Sequence, residues 1–201
     1  MRHEASRDLF RYWNEVREPR ASPERDDIDP GEIRHVLADT FILESRRDGT
    51  FPLRLSGTRV DALWLASLRD CCFLDLWGDD RHSIAAALWT VMDGASPVIL
   101  GAKARPQGRP EISAEALLLP LRNHGRTHSL VLGALSIAQP PSWIGLVPIE
   151  RLRLVSLRVI MPEEAVSLPI IPKVAHTQPV PQRQHKHLTV YAGGRGNHDL
   201  P

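Results

Sequence analysis

EISAEALLLPLRNHGRTHSLVLGALSIA, residues 111–138, is the stretch that decides the fold class. Two runs rich in apolar residues, EISAEALLLPL (111–121) and SLVLGALSIA (129–138), flank NHGR (123–126), a turn signal of the kind that joins antiparallel strands. A third run, PVILGAKA (97–104), lies upstream across RPQGRP (105–110), a second hairpin signal. Strands joined by tight turns form an antiparallel sheet; a parallel sheet would need a helical crossover between each pair. RLRLVSLRV (151–159) is a candidate further strand.

Working back towards the N-terminus, TFILE (40–44) is strand-like, and RRDG turns the chain into a second strand. There Phe51, Leu53 and Leu55 alternate with Pro52, Arg54 and Ser56. Pro52 has no N–H to give to a ladder and belongs near an edge or a strand start. The stretch FPLRLSGTRVDALW (51–64) then turns from strand into helix at Gly57, with Thr58 as N-cap and Asp61 three residues on. A phosphate cradle would need more glycines and a cation at fixed offset, and a nucleophile elbow would need G-x-S-x-G. Neither is present, so the corner reads as structural. It sends the helix carrying Leu63, Trp64 and Leu68 (59–68) across the sheet.

Helical periodicity marks three other segments. Residues 5–17 place Leu9, Tyr12, Trp13 and Val16 on one face. IDPGEIRHVLA carries Asp29 as N-cap, Pro30 at the first helical position and Glu32 to close a capping box, predicting a helix over 30–38. Residues 81–93, capped by Asp79 or Asp80 and stopped by Gly94, form the longest central helix, after one or two helical turns at CCFLDLW. Strands grouped at both ends of a helical middle make an α+β domain.

At 201 residues the chain suits one domain with an extension. A net charge of +1 gives no global field to draw it to nucleic acid or membrane. The opening MRHEASRDLF is charged where a secretory leader would be apolar, and the longest apolar runs are about half a membrane span. Cys71 and Cys72 are adjacent, which excludes a disulfide framework. A cytoplasmic location is expected. Beyond Met161, six of the last 40 residues are proline and four are histidine, a composition that predicts a disordered tail.

Together YW (12–13), DIDPGEI (27–33), FILE (41–44), FPLRLSGTR (51–59), FLDLW (73–77) and LLLPLR (117–122) resemble the PAS domain superfamily, and within it the bacterial stand-alone single-PAS signalling proteins. The resemblance implies a PAS-like five-stranded antiparallel sheet with helices packed on one face, an N-terminal helix and an extra C-terminal strand. It divides the chain into an N-terminal helix and linker (1–26), a PAS-like domain (27–160) and a Pro/His-rich tail (161–201). The implied function is a sensory or protein-interaction module in bacterial cytoplasmic signalling, linked in that group to motility and cell-cycle control. Helices such as 5–17 often pair two protomers in PAS proteins, so a homodimer is expected. Folding of that helix onto its own sheet is the alternative.

Several chemistries compete with this reading. DCCFLD (70–75) resembles the N-C-R-F-L-Q signature of flavin-binding PAS domains, with Cys71 at the adduct position. Asp70, Cys72 and Asp75 replace the asparagine, arginine and glutamine, and acids beside a phosphate repel it. Both cysteines therefore read as core residues. His82, at a helix start, is poorly placed for a haem ligand. His176, His185, His187 and His198 lack the spacing of a rigid metal site. Asp75, Asp79 and Asp80 are explained by capping, and no ordered nucleophile–base set accompanies them. No cofactor, metal or enzymatic activity is expected. Nor is a nucleic-acid interface, because the basic groups Arg122, His124, Arg126, His128 and Arg151, Arg153, Arg158 lack interleaved aromatics. Either group could meet an acidic partner.

An apolar pocket between sheet and helices would be walled by Leu55, Leu63, Trp64, Phe73, Trp77, Leu88, Leu100 and Leu118. The alternative is that these side chains fill the core. A ligand sensor predicts the cavity, whereas a scaffold predicts a filled core and an exposed apolar patch for a partner.

Overall fold

A computed structural model describes residues 1–124, 126–137, 139–161, 183–185 and 188–190. The chain divides into two units, Met1–Pro162 and Glu163–Pro201. The first contains α1 (Glu4–Arg17), β1 (Thr40–Glu44), β2 (Leu53–Ser56), α2 (Thr58–Trp64) and α3 (Arg81–Asp93), followed by β3 (Val98–Pro106), β4 (Ile112–Asn123), β5 (Arg126–Ser136) and β6 (Ile149–Val159). In the second, β7 (Arg183–His185) pairs antiparallel with β8 (Leu188–Val190). The rest of the Pro/His-rich tail, where disorder was expected, lies outside the described residues.

The six strands of the first unit form one antiparallel sheet in the order β2-β1-β5-β4-β3-β6. The hairpins at 105–110 and 123–126 join β3 to β4 and β4 to β5, and β6 returns antiparallel to the free side of β3. Alternation along the three central strands sends side chains to two separate apolar layers. Ala114, Ala116 and Leu118 of β4 join Val98, Leu100, Val131 and Leu135 on an inner face covered by α2, α3 and the 3-10 segment Phe73–Asp80. Leu117, Leu119 and Leu121 join Ile99, Leu130, Leu132 and Ala134 on the outer face, under Leu9 and Trp13 of α1.

α1 is seated on its own sheet, the alternative to protomer pairing that the sequence allows. Leu9 is 0% and Trp13 1% exposed. The Trp13 indole N–H donates to the Pro120 carbonyl at 2.9 Å. Pro120 lies two residues past Leu118, the last β4 residue paired with β3, so its carbonyl is within reach of the helix. The Arg17 guanidinium lies over the Trp13 ring, 5.5 Å from its centroid, closing the other end of this contact.

Two local readings change. Residues 30–36 form successive turns that end in the 3-10 turn Leu37–Asp39. The Asp29 carboxylate accepts the Gly31 N–H at 2.8 Å, an Asx turn in place of a helix cap. Ile33 and Val36 are fixed by burial in the outer layer, and glycine at 31 favours the turn over the helix. The second change concerns α2, which stops at Trp64 because Leu65 adopts a left-handed conformation (φ 53°). The Asp61 carboxylate then accepts the Leu68 N–H at 3.0 Å and carries the chain onward.

The strand-to-helix corner has a steric cause. The Gly57 N–H donates to the Thr40 carbonyl at 2.8 Å, which draws the corner against the turn before β1. A Cβ at position 57 would collide with the carbonyl oxygens of Leu37 and Ala38. Backbone atoms cannot rotate away as side chains do, so Gly57→Ala is expected to destabilise the fold by about 1–3 kcal/mol. Urea unfolding should show a lower midpoint with an unchanged slope, and a midpoint equal to the parent protein's would contradict the steric account.

Candidate functional site

The residues expected to wall a pocket are dispersed among distinct environments. Phe73, Trp77, Leu88, Leu100 and Leu118 meet in the inner layer at 0–1% exposure. There Phe41 stacks on Phe73 with centroids 5.2 Å apart, and Phe73 meets Trp77 edge-on at 5.8 Å. Trp64 is half-buried against the same layer. Leu63 is buried but also borders a surface groove.

Leu55 is 41% exposed, because a register shift follows Leu53. Leu53 lies opposite Leu43 and belongs to the inner layer, whereas Leu55 lies opposite Ile42, which packs on the outer one. A bulge of this kind reverses strand alternation, so the uniform in–out pattern over 51–56 fails at this residue.

The groove has a volume of about 440 Å³, within the usual range for small-molecule sites. It lies where the start of α1, the turn before β1, α2 and the end of β5 converge. Its apolar lining comes from Val36, Leu63, Leu135, Ile137 and Ile144. Its polar groups are His3, Asp8, His35, Asp39, Arg59 and Ser136. Arg59 donates to Asp39 at 2.6 Å, and His35 Nε2 lies 3.5 Å from an Asp8 oxygen. Burial lifts the Asp39 carboxyl above the usual carboxylate range, against the pull of Arg59. Arg59 closes the FPLRLSGTR stretch and His35 lies in IDPGEIRHVLA, but neither was singled out as a site residue. Arg59 and Asp39 are 20 positions apart and come together only through the Gly57 corner.

His3 and Ser136 are also joined, Nδ1 to Oγ at 3.1 Å. Such a contact is the first half of a nucleophile–base pair. The neighbouring carboxylate, Glu115 of β4, is used otherwise. Its oxygens accept the backbone N–H groups of Arg2 (2.9 Å) and His3 (3.3 Å), so it anchors the start of α1 and leaves the imidazole unoriented. Burial opposes Glu115 ionisation, but the amide bonds prevail and hold its carboxyl below the ordinary range. Burial also lowers the His3 pKa, more than the Glu115 charge raises it. The arrangement is a helix anchor beside a groove suited to an aliphatic body with one polar end.

The other sequence candidates fall elsewhere. Cys71 is exposed and Cys72 half-buried, a correction to their expected place in the core. They precede the 3-10 segment, and their backbone is held by the Leu53 N–H to Cys71 carbonyl bond and a bridge between Pro52 and Cys72. His82 is exposed on the first turn of α3. Asp80 precedes α3, yet its carboxylate accepts the Leu154 N–H of β6 at 2.7 Å, tying the 3-10 segment to the sixth strand. Asp75 pairs with Arg81. Among the described residues no group of three or more His, Cys, Asp or Glu is placed to hold a metal ion. The tail-histidine side chains lie outside the described residues. No helix among the described residues is long and apolar enough to cross a membrane.

The anchor predicts a pH response. Burial makes His3 harder to protonate in the folded protein, so below about pH 6.5 the unfolded chain binds more protons and stability falls. Glu115 adds a loss of the same sign at more acid pH, because its folded-state pKa is the lower one. The urea midpoint should decline from pH 7 to pH 5, and His3→Gln should flatten that decline. Glu115→Ala, which strands two backbone donors, should cost about 1–3 kcal/mol at neutral pH. Asp39→Asn should act in the opposite direction and raise the midpoint at pH 7, because ionising Asp39 opposes folding.

With this geometry in place, comparison with known proteins gives one result. A family model described as PAS domain matches residues 1–136, from α1 through the end of β5. No curated protein and no solved structure matches the chain. The match spans more than half of the 201 residues and agrees with the antiparallel sheet, and the chain belongs to the PAS domain family.

Proposed function

We propose that this chain is a non-catalytic sensory or protein-interaction module of bacterial cytoplasmic signalling that acts through partner proteins and as a homodimer. The groove beside Asp39 would take a small ligand with an apolar body. The observation that carries the reading is an apolar row on the edge strand β6. Val155, Leu157 and Val159 are 57%, 41% and 42% exposed, and Met161 follows at 67%. Leu157 and Val159 lie opposite Leu100 and Val98, so they extend the inner apolar layer beyond its helical cover. A filled inner core with apolar surface left uncovered at its margin is what an interaction module requires.

The occupant we assign to this edge is a second copy of the chain. Among the described residues β6 has no strand partner on its outer side, and an open edge is a template for further pairing. Asp80 blocks that template at Leu154, leaving residues 155–159 available. Antiparallel pairing of two β6 strands about Leu157 sets Val155 against Val159 and Arg158 against Ser156. No arginine then opposes another, and the contact is isologous, as two-fold symmetry demands. Pairing at β6 replaces pairing through α1, whose apolar face is already covered.

Light scattering on the full chain at micromolar concentration should give a dimer. Leu157→Glu with Val159→Glu should weaken it at least tenfold without changing the far-ultraviolet circular dichroism. A monomeric parent protein, or a dimer untouched by the double substitution, would sink the assignment.

A further inference from the structure

The outer apolar layer lies beneath α1 and the turns carrying Ile33 and Val36. Past the helix N-terminus the same face holds a depression of about 510 Å³, over β3, β4 and β6. Gly101 forms its floor. On this face Gly101 lies opposite Glu115 of β4 and Ser156 of β6, and a Cβ there would collide with the Ser156 hydroxyl. Glycine in a strand interior sacrifices packing, and it marks places where another group approaches the backbone closely.

The rows to either side carry cations. Lys103 lies opposite Ser113 and donates to its hydroxyl at 2.8 Å. Arg158 lies opposite Ile99 across the β3–β6 register, and Arg2 borders the depression from the chain start. Among the described residues Lys103, Arg158 and Arg2 take part in no ion pair. The acid in the depression, Glu115, is 4% exposed and already bonded to the amides of Arg2 and His3.

We infer that this depression binds a phosphoryl group of a small phosphorylated metabolite. Three cations and the hydroxyls of Ser113 and Ser156 exceed what a single carboxylate would engage. They match a group with several anionic oxygens and a charge of two or more, and the guanidinium forks of Arg2 and Arg158 fit phosphate geometry. The site is separate from the groove beside Asp39, and it shares Ser156 and Arg158 with the β6 edge. It combines the PAS-matched region, through β3 and β4, with a cation from the strand beyond it.

Calorimetric titration of the full chain with inorganic pyrophosphate, at fixed ionic strength, tests the inference. Saturable binding is expected, and Lys103→Gln and Arg158→Gln should each weaken it about tenfold. Arg54→Gln, whose parent side chain pairs with Glu44 on β1, should leave it unchanged. Citrate at equal charge should bind more weakly than pyrophosphate; equal or tighter citrate binding would overturn the phosphoryl assignment. Absence of saturable binding, or equal affinity in the Lys103 and Arg158 variants, would overturn the site itself. Circular dichroism of each variant separates loss of binding from loss of fold.

Discussion

Everything in the first unit depends on β4 being apolar on both faces. A strand with one wet face needs a single covering layer, but Leu117, Leu119 and Leu121 place a second apolar row beside that of Ala114, Ala116 and Leu118. Hydrophobic area on the outer face must be removed from water at roughly 25 cal/mol per Å², and α1 is the element that removes it. The helix is therefore structural before it is anything else. Leu9 and Trp13 seat it, the Trp13 N–H reaches β4 at Pro120, and Glu115 of the same strand holds its first amides.

Anchoring α1 in this way creates the polar surroundings of two cavities. On one side, the start of the helix brings His3 to Ser136 and Asp8 to His35, beside the Asp39–Arg59 pair. On the other, it brings Arg2 to the depression that Gly101, Lys103 and Arg158 also line. A single buried carboxylate, Glu115, thus stands between an apolar groove and a basic depression, and it contributes to each by fixing the chain start. Buried ionisable groups oppose stability unless they are bonded, and their concentration at one end of this helix distinguishes it from the aromatic inner core.

The inner layer follows a different logic. Phe41, Phe73 and Trp77 make a continuous aromatic contact, and Leu88, Leu100 and Leu118 close around it. At this packing density the sheet and helices behave as one rigid support. The family match ends with β5, so β6 is the element through which this chain adds to the matched region. Its first half is secured by Leu152 in the core and by the Asp80 carboxylate, and its second half projects the apolar row past the helices.

Strand positions, their antiparallel order and the extent of α1 and α3 were legible from residue order, because each depends on short-range periodicity and turn chemistry. The double burial of β4 was also written in the unbroken run ALLLPL, a pattern that alternation in a one-sided strand would not produce. Other features were not legible, for identifiable reasons. The capping signals at Asp29 and Glu32 describe a helix that Gly31 and the burial of Ile33 and Val36 convert into turns. Leu55 keeps its place in the alternating pattern but changes face at a bulge. Asp80 has the position of a helix cap and instead takes a strand amide 74 positions away.

The sequence by itself determined which segments are strand or helix and that the sheet is antiparallel, since hydrophobic period and turn residues act over a few positions. The tertiary structure alone decided that Asp39 meets Arg59, that Glu115 holds the first amides of α1, and that Gly101, Lys103 and Arg158 line one depression. Those contacts are made across strands and layers, where spacing along the chain carries no information about distance in space.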